Sequence, residues 1–208
     1  MSQQQCIEHI EIDSEYAILN CNYYFLYVTQ LVFSDSFYTN RADLSDVLDN
    51  IMPLQQIKSL TIDNNRFSAE QFLRLLSAMP NIRTLHSNCG NFSDAELKQS
   101  ELFQLVSKMN QISNLYIRDT YELETFKFFI NLCPQTRYLM LDVHTNPIVA
   151  MLRFISSSKQ TCLSKLCLLH LKATSPSMLI SITSCLNTSY WSHPYLEKTI
   201  GREHYIVL

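Results

Sequence analysis

The chain predicts an α/β solenoid, a right-handed β-α superhelix with parallel strands on its concave face and helices on its convex face. Three observations carry this expectation. A hexapeptide of the form apolar-x-x-Leu-x-apolar returns about every 25 residues, the mark of stacked units that bury their apolar sides against one another. Helix-like segments separate the hexapeptides, and their apolar stripes keep a constant offset from the strand that follows. Proline and capping residues fall at the junctions.

The hexapeptides read Ile7-x-x-Ile10-x-Ile12, Val28-x-x-Leu31-x-Phe33, Ile57-x-x-Leu60-x-Ile62, Ile112-x-x-Leu115-x-Ile117 and Leu163-x-x-Leu166-x-Leu168. Looser copies are Ile82-x-x-Leu85-x-Ser87 and Thr136-x-x-Leu139-x-Leu141. Between them, apolar residues at i, i+3, i+4 and i+7 make one helical stripe each: Leu44/Val47/Leu48/Ile51, Phe72/Leu75/Leu76/Met79, Leu102/Leu105/Val106/Met109, Phe126/Phe129/Ile130/Cys133 and Ile148/Met151/Leu152/Ile155. Ser68 and Ser93 are placed to cap helices 68–79 and 93–109, and Gln71 three residues after Ser68 completes a capping-box pattern. Asn146-Pro147 and Ser175-Pro176 put a cap residue before a proline at the first helical position, while Pro53, Pro80 and Pro134 stop the preceding helices.

No linker or charge block divides the 208 residues, so a single domain of about six or seven β-α repeats is expected over 1–208. Residues 1–40 form irregular N-terminal repeats, with 13–27 too short for a full helical crossover and read as strand–loop–strand. Residues 189–208 form a C-terminal cap in which His204–Leu208 is a last strand.

Composition excludes several classes of function. A net charge of −3 lacks the basic stripe that phosphate backbones require, so no nucleic-acid partner is expected. Only Gly90 and Gly201 occur, too few for a phosphate-cradling loop or a dinucleotide fingerprint. Neither a signal peptide nor an apolar run long enough to span a bilayer is present, which points to a cytoplasmic or nuclear protein with no membrane partner. Seven cysteines without a CxxC pair suit reduced thiols, and Cys6, Cys21, Cys133, Cys162, Cys167 and Cys185 sit among apolar neighbours as buried thiols do.

The repeat resembles leucine-rich repeats of the helix-containing, ribonuclease-inhibitor-like type, and more narrowly the repeat region of F-box proteins. There a helix ending Leu-Leu-x-x-Met-Pro-Asn runs into apolar-x-x-Leu, as Leu75-Leu76-Ser77-Ala78-Met79-Pro80-Asn81-Ile82-Arg83-Thr84-Leu85 does here. Asn131-Leu132-Cys133-Pro134-Gln135-Thr136-Arg137-Tyr138-Leu139 is a second version, and the likeness covers roughly residues 7–186. It implies a non-catalytic interaction module that recognises substrates for a ubiquitin ligase. The F-box itself, which begins near Leu-Pro-x-Glu and grips a Skp-type adaptor, has no counterpart in Met1–Asp46, so that adaptor is expected only if an F-box lies outside this chain. A general scaffold or inhibitor without a ubiquitin link is the alternative.

Alternation along the strands assigns the exposed concave row. From it Thr61, Asp63, His86, Tyr116, Arg118, Tyr138 and Met140 are the candidate protein-binding residues, since aromatic, Met and Arg side chains dominate interface hot spots. Chemistry is thinly represented. His86-x-x-Cys89, even with His144 and Cys162, is better read as a surface histidine beside a loop cysteine than as zinc ligands. A Cys89/His86 nucleophile pair lacks an oriented base and oxyanion donors. No catalytic residue, metal or cofactor is therefore expected, and a cysteine- or metal-dependent enzyme remains the remote alternative.

Overall fold

The computed structural model describes residues 7–41, 43–63, 66–88, 92, 100–118, 122–143, 147–158, 163–173, 176–186, 196–201 and 203–207. They form a mixed α/β protein that divides into two compact units, residues 1–90 with 94–111 and residues 91–93 with 112–208. The expected residues Ser93, Asn146, Ser175, Cys6, Cys89, His144, Cys162 and the segment 187–195 lie outside the described set.

In the first unit four strands, β1 (His9–Ile12), β2 (Gln30–Phe33), β3 (Ser59–Ile62) and β4 (Thr84–Ser87), pair in chain order and in parallel. The register is uniform: Ile10 faces Leu31, Leu31 faces Leu60, and Leu60 faces Leu85. Leu31, Leu60 and Leu85 are completely buried. A one-residue slip would turn every one of these side chains outward, so burial of this row fixes the pairing. Helices α1 (Glu15–Leu19), α2 (Leu44–Asp49), α3 (Ala69–Ala78) and α4 (Glu101–Met109) lie on the buried side, each against the next. Parallel strands taken in chain order need crossovers of one hand, and that keeps the helices on one face.

Local chemistry sets the helix ends. The Ser68 hydroxyl accepts from Gln71 N at 3.1 Å and the Gln71 side chain returns the bond from Ser68 N at 3.0 Å, the capping box read from sequence. Gln71 also donates to the carbonyls of Thr39 and Arg41, tying α3 to the loop before α2. Phe33, Phe37 and Phe67 fill the space beneath, with ring centroids 4.7 to 5.8 Å apart.

Four expectations fail here. Helix α4 begins at Glu101 and is capped by Ser100, whose hydroxyl accepts from Phe103 N at 3.2 Å, rather than by Ser93. Residues 13–27 are not strand–loop–strand: Ser14 caps α1 through Ala17 N at 3.3 Å, and the following loop is held by Phe25 N to Ile51 O at 2.8 Å. Helix α2 stops at Asp49, so Ile51 is buried from a turn that leads into a 3-10 segment at Leu54–Gln56. On α4 the inward residues are Phe103 and Val106, followed by the buried C-cap Asn110, while Leu105 and Met109 are each 49% exposed. Phe103 and Val106, three residues apart, share one helix face, and the larger ring takes the core.

The second unit begins with β5 (Asn114–Arg118), β6 (Tyr138–Val143) and β7 (Leu168–Ala173), parallel and again in chain order. Helices α5 (Leu123–Leu132), α6 (Ile148–Ser158) and α7 (Pro176–Leu186) follow, packed in sequence, α7 opening on its proline. Leu115, Leu139 and Leu169 face one another in register and are fully buried. The last repeat is therefore Leu166-x-x-Leu169-x-Leu171, three residues later than the expected Leu163 frame, and Lys165 lies in a turn. The expected last strand exists as β9 (Glu203–Val207), which runs antiparallel to β7 with Ile206 facing Leu169. The strand before it, β8 (Leu196–Ile200), pairs antiparallel with β9, giving the order β5-β6-β7-β9-β8. Gly201, at φ 63°, makes the tight turn between them, a conformation that a side chain would strain.

The corrected face of α4 has a direct test. Phe103→Ala should lower the urea-unfolding free energy by about 3–5 kcal/mol, and Leu105→Ala by about 1 kcal/mol or less. Equal losses would restore the original stripe.

Candidate protein-binding face

Strand residues on the side away from the helices make a regular grid in the second unit. One row holds Asn114, Tyr138, Leu168, Val207 and Leu196, the next Tyr116, Met140, His170, Tyr205 and Lys198, and the third Arg118, Asp142, Lys172, Glu203 and Ile200. The expected residues Tyr116, Arg118, Tyr138 and Met140 thus come together on neighbouring strands. Thr61 and His86 are register neighbours in the first unit, with Asp63 directly after β3, and all three are half-buried.

Aromatic contacts pin the grid. Tyr116 and Tyr138 have ring centroids 5.3 Å apart, and His170 stacks on Tyr205 at 4.3 Å with 14° between the planes. The Tyr138 hydroxyl lies 2.9 Å from His170 Nδ1, and His170 Nε2 is 3.4 Å from Glu203 Oε2. Tyr205 donates to the same Glu203 oxygen at 2.6 Å. A Tyr138 hydroxyl donating to Nδ1 leaves the imidazole proton on Nε2, facing the carboxylate. Lys172 closes the charged row onto Asp142 at 3.0 Å.

These contacts shift protonation in consistent directions. Burial pushes the Tyr138 phenol up to about 12, helped by Tyr116, Tyr205 and Glu203, so it stays a donor at neutral pH. The Tyr205 hydrogen bond holds the Glu203 carboxyl below its usual range. Burial keeps His170, 6% exposed, below the usual imidazole value, and this outweighs the pull of Glu203. At neutral pH the centre is therefore a neutral imidazole beside an ionised carboxylate.

Sequence reasoning missed His170, Lys172, Glu203 and Tyr205. The shifted frame of the last hexapeptide hid the first two. A two-residue turn signal at Gly201 between strand-like segments would have exposed the others.

The thiols divide. Cys133 and Cys185 are buried, and burial pushes both thiols up, whereas Cys21 is half-buried and Cys167 exposed, against the expectation of a buried thiol there. Cys167 follows the strand frame: one residue before β7, it turns outward and its Sγ donates to Lys165 O at 3.3 Å. Among the described residues no group of three or more His, Cys, Asp or Glu could hold a metal ion, and no helix is long and apolar enough to cross a membrane.

Two measurements probe this description. His170 is lowered in the folded state, so its contribution to stability is complete above its unfolded value of about 6.5 and is lost as pH falls through the folded value. Between pH 7 and 5, His170→Phe should therefore lose less stability than wild type, the difference amounting to at most about 1.4 kcal/mol per pH unit. Alkylation read by mass spectrometry should label Cys167 well before Cys133, and simultaneous labelling would contradict the burial pattern.

Comparison with known proteins makes no assignment: the chain matches no family model, no curated protein and no solved structure.

Proposed function

We propose that the chain is a non-catalytic protein-interaction module, a leucine-rich-repeat solenoid that recognises a client protein through the outward grid of its second unit. The single observation behind this reading is the row Tyr116–Met140–His170–Tyr205, bordered on one side by alternating Arg118, Asp142, Lys172 and Glu203. Half-buried aromatic and Met side chains beside a charged row have the composition of a binding hot spot. Hydrogen bonds and stacking order these side chains in advance, which lowers the entropy lost when a partner docks.

The F-box-like turn at Leu75–Leu85 supports a narrower role, presentation of the client to a ubiquitin ligase, with a Skp-type adaptor bound by an F-box outside these residues. A scaffold or inhibitor with no ligase link is the other form of the same reading. A reducing cytoplasmic or nuclear setting belongs to the proposal, and the free, exposed thiol of Cys167 supports it.

Photo-crosslinking from Tyr116 and Met140, compared with the helix-side position Arg153, tests the face. Clients captured from both strand positions should be lost from the helix position, and Tyr116→Ala/Met140→Ala should weaken a captured client by about 2 kcal/mol or more, roughly thirtyfold in Kd. Equal capture from Arg153 would contradict the proposed face. Co-purification of a Skp-type adaptor with the native protein separates the ligase reading from the scaffold reading.

A further inference from the structure

The first unit carries a second surface of different chemistry. On α1, Ile18 is buried, while Tyr16 and Leu19, three residues apart, share the outer side. The loop that follows continues outward with Tyr23, Tyr24, Leu26 and Tyr27. Tyr16 and Tyr23 are each 76% exposed, and the other four lie between 49% and 59%. The backbone holding them is anchored: Phe25 N donates to Ile51 O at 2.8 Å and the Gln56 side chain to Leu26 O at 2.5 Å. Large aromatic side chains displayed on a tethered loop are costly to leave in water and mark an interaction site.

Charge selects the partner. Residues 1–57 contain eight Asp and Glu but only one Arg and no Lys, so this segment carries −7 in a chain whose total is −3. Its one guanidinium, Arg41, is already engaged by Glu15 at 2.5 Å and Asp43 at 3.5 Å. Glu8, Glu11 and Asp13 precede α1 in the chain, Asp46 and Asp49 lie on α2, which packs against α1, and all five are exposed. An anionic membrane or a nucleic acid would be repelled. Arginine fits both halves of the surface, since its planar guanidinium stacks on tyrosine rings and pairs with carboxylates in a bidentate fork.

We propose that this tyrosine-rich acidic surface docks an arginine-rich segment of a partner protein, at a site separate from the client face. Fluorescence anisotropy with labelled octa-arginine, octalysine and octaglutamate on the full chain tests it. Octa-arginine should bind most tightly, more weakly as salt rises, with octalysine at least about threefold weaker and octaglutamate unbound. Tyr23→Ser/Tyr24→Ser/Tyr27→Ser should weaken octa-arginine at least about tenfold. Glu8→Gln/Glu11→Gln/Asp13→Asn should weaken it and flatten its salt dependence, and Tyr116→Ala, in the other unit, should leave it unchanged. Should the triple tyrosine variant fail to fold, the single Tyr23→Lys takes its place, with a loss of at least about fivefold expected. Wild-type affinity in the tyrosine variant, or equal binding of octalysine and octa-arginine, overturns the proposal. So does concentration-dependent self-association that the tyrosine substitutions abolish, because the occupant is then a second copy of the chain.

Discussion

The outward strand faces of both units depend on a buried row of side chains within each. In the first unit Leu31, Leu60 and Leu85 face one another strand to strand, and in the second Leu115, Leu139, Leu169 and Ile206 do, all with no solvent exposure. Burying such a side chain contributes about 1.5–3 kcal/mol, so a row of them outweighs any single surface contact. Because strand side chains alternate, fixing that row also fixes which residues face away from the helices. The Tyr116–Met140–His170–Tyr205 row exists because its neighbours in the chain are committed to the core.

The same row explains how an antiparallel hairpin can end a parallel arrangement. Ile206 continues the buried ladder on β9, while the residues on either side of it in the outward rows, Tyr205 and Val207, extend the grid. His170 then links three strands by stacking on Tyr205, bonding to Tyr138 and facing Glu203. Along the charged row the signs alternate, which avoids like charges directly opposite one another. The two units differ in their electrostatics: the acidic excess sits in residues 1–57, and residues 112–208 hold nine Lys and Arg against six Asp and Glu.

Much of this was legible in the sequence because periodicity and punctuation agree. Ile57-x-x-Leu60-x-Ile62 can satisfy the hexapeptide in only one frame, and the Ser68–Gln71 box fixes where α3 begins; both match the structure. The stretch Leu163-Ser-Lys-Leu-Cys-Leu-Leu-His-Leu satisfies it in two frames, and only pairing with Leu139 decides between them. Helix α4 follows Phe103 and Val106 rather than the longer apolar stripe, because the large Phe103 ring takes the core. Residues 15–19 make a helix of barely more than one turn, too short for periodicity to reveal. The partners of His170 were hidden for a different reason: a cross-strand contact between residues 33 and 35 positions apart leaves no local pattern.

The register of the second unit is the most direct point of attack. Cross-strand NOEs in an isotope-labelled sample should join the strand segment at Leu139 to Leu169 in parallel, and Leu169 to Ile206 in antiparallel fashion. Contacts joining Leu139 instead to Leu166 would move His170 to the other side of its strand, dismantle the outward aromatic row, and contradict the account.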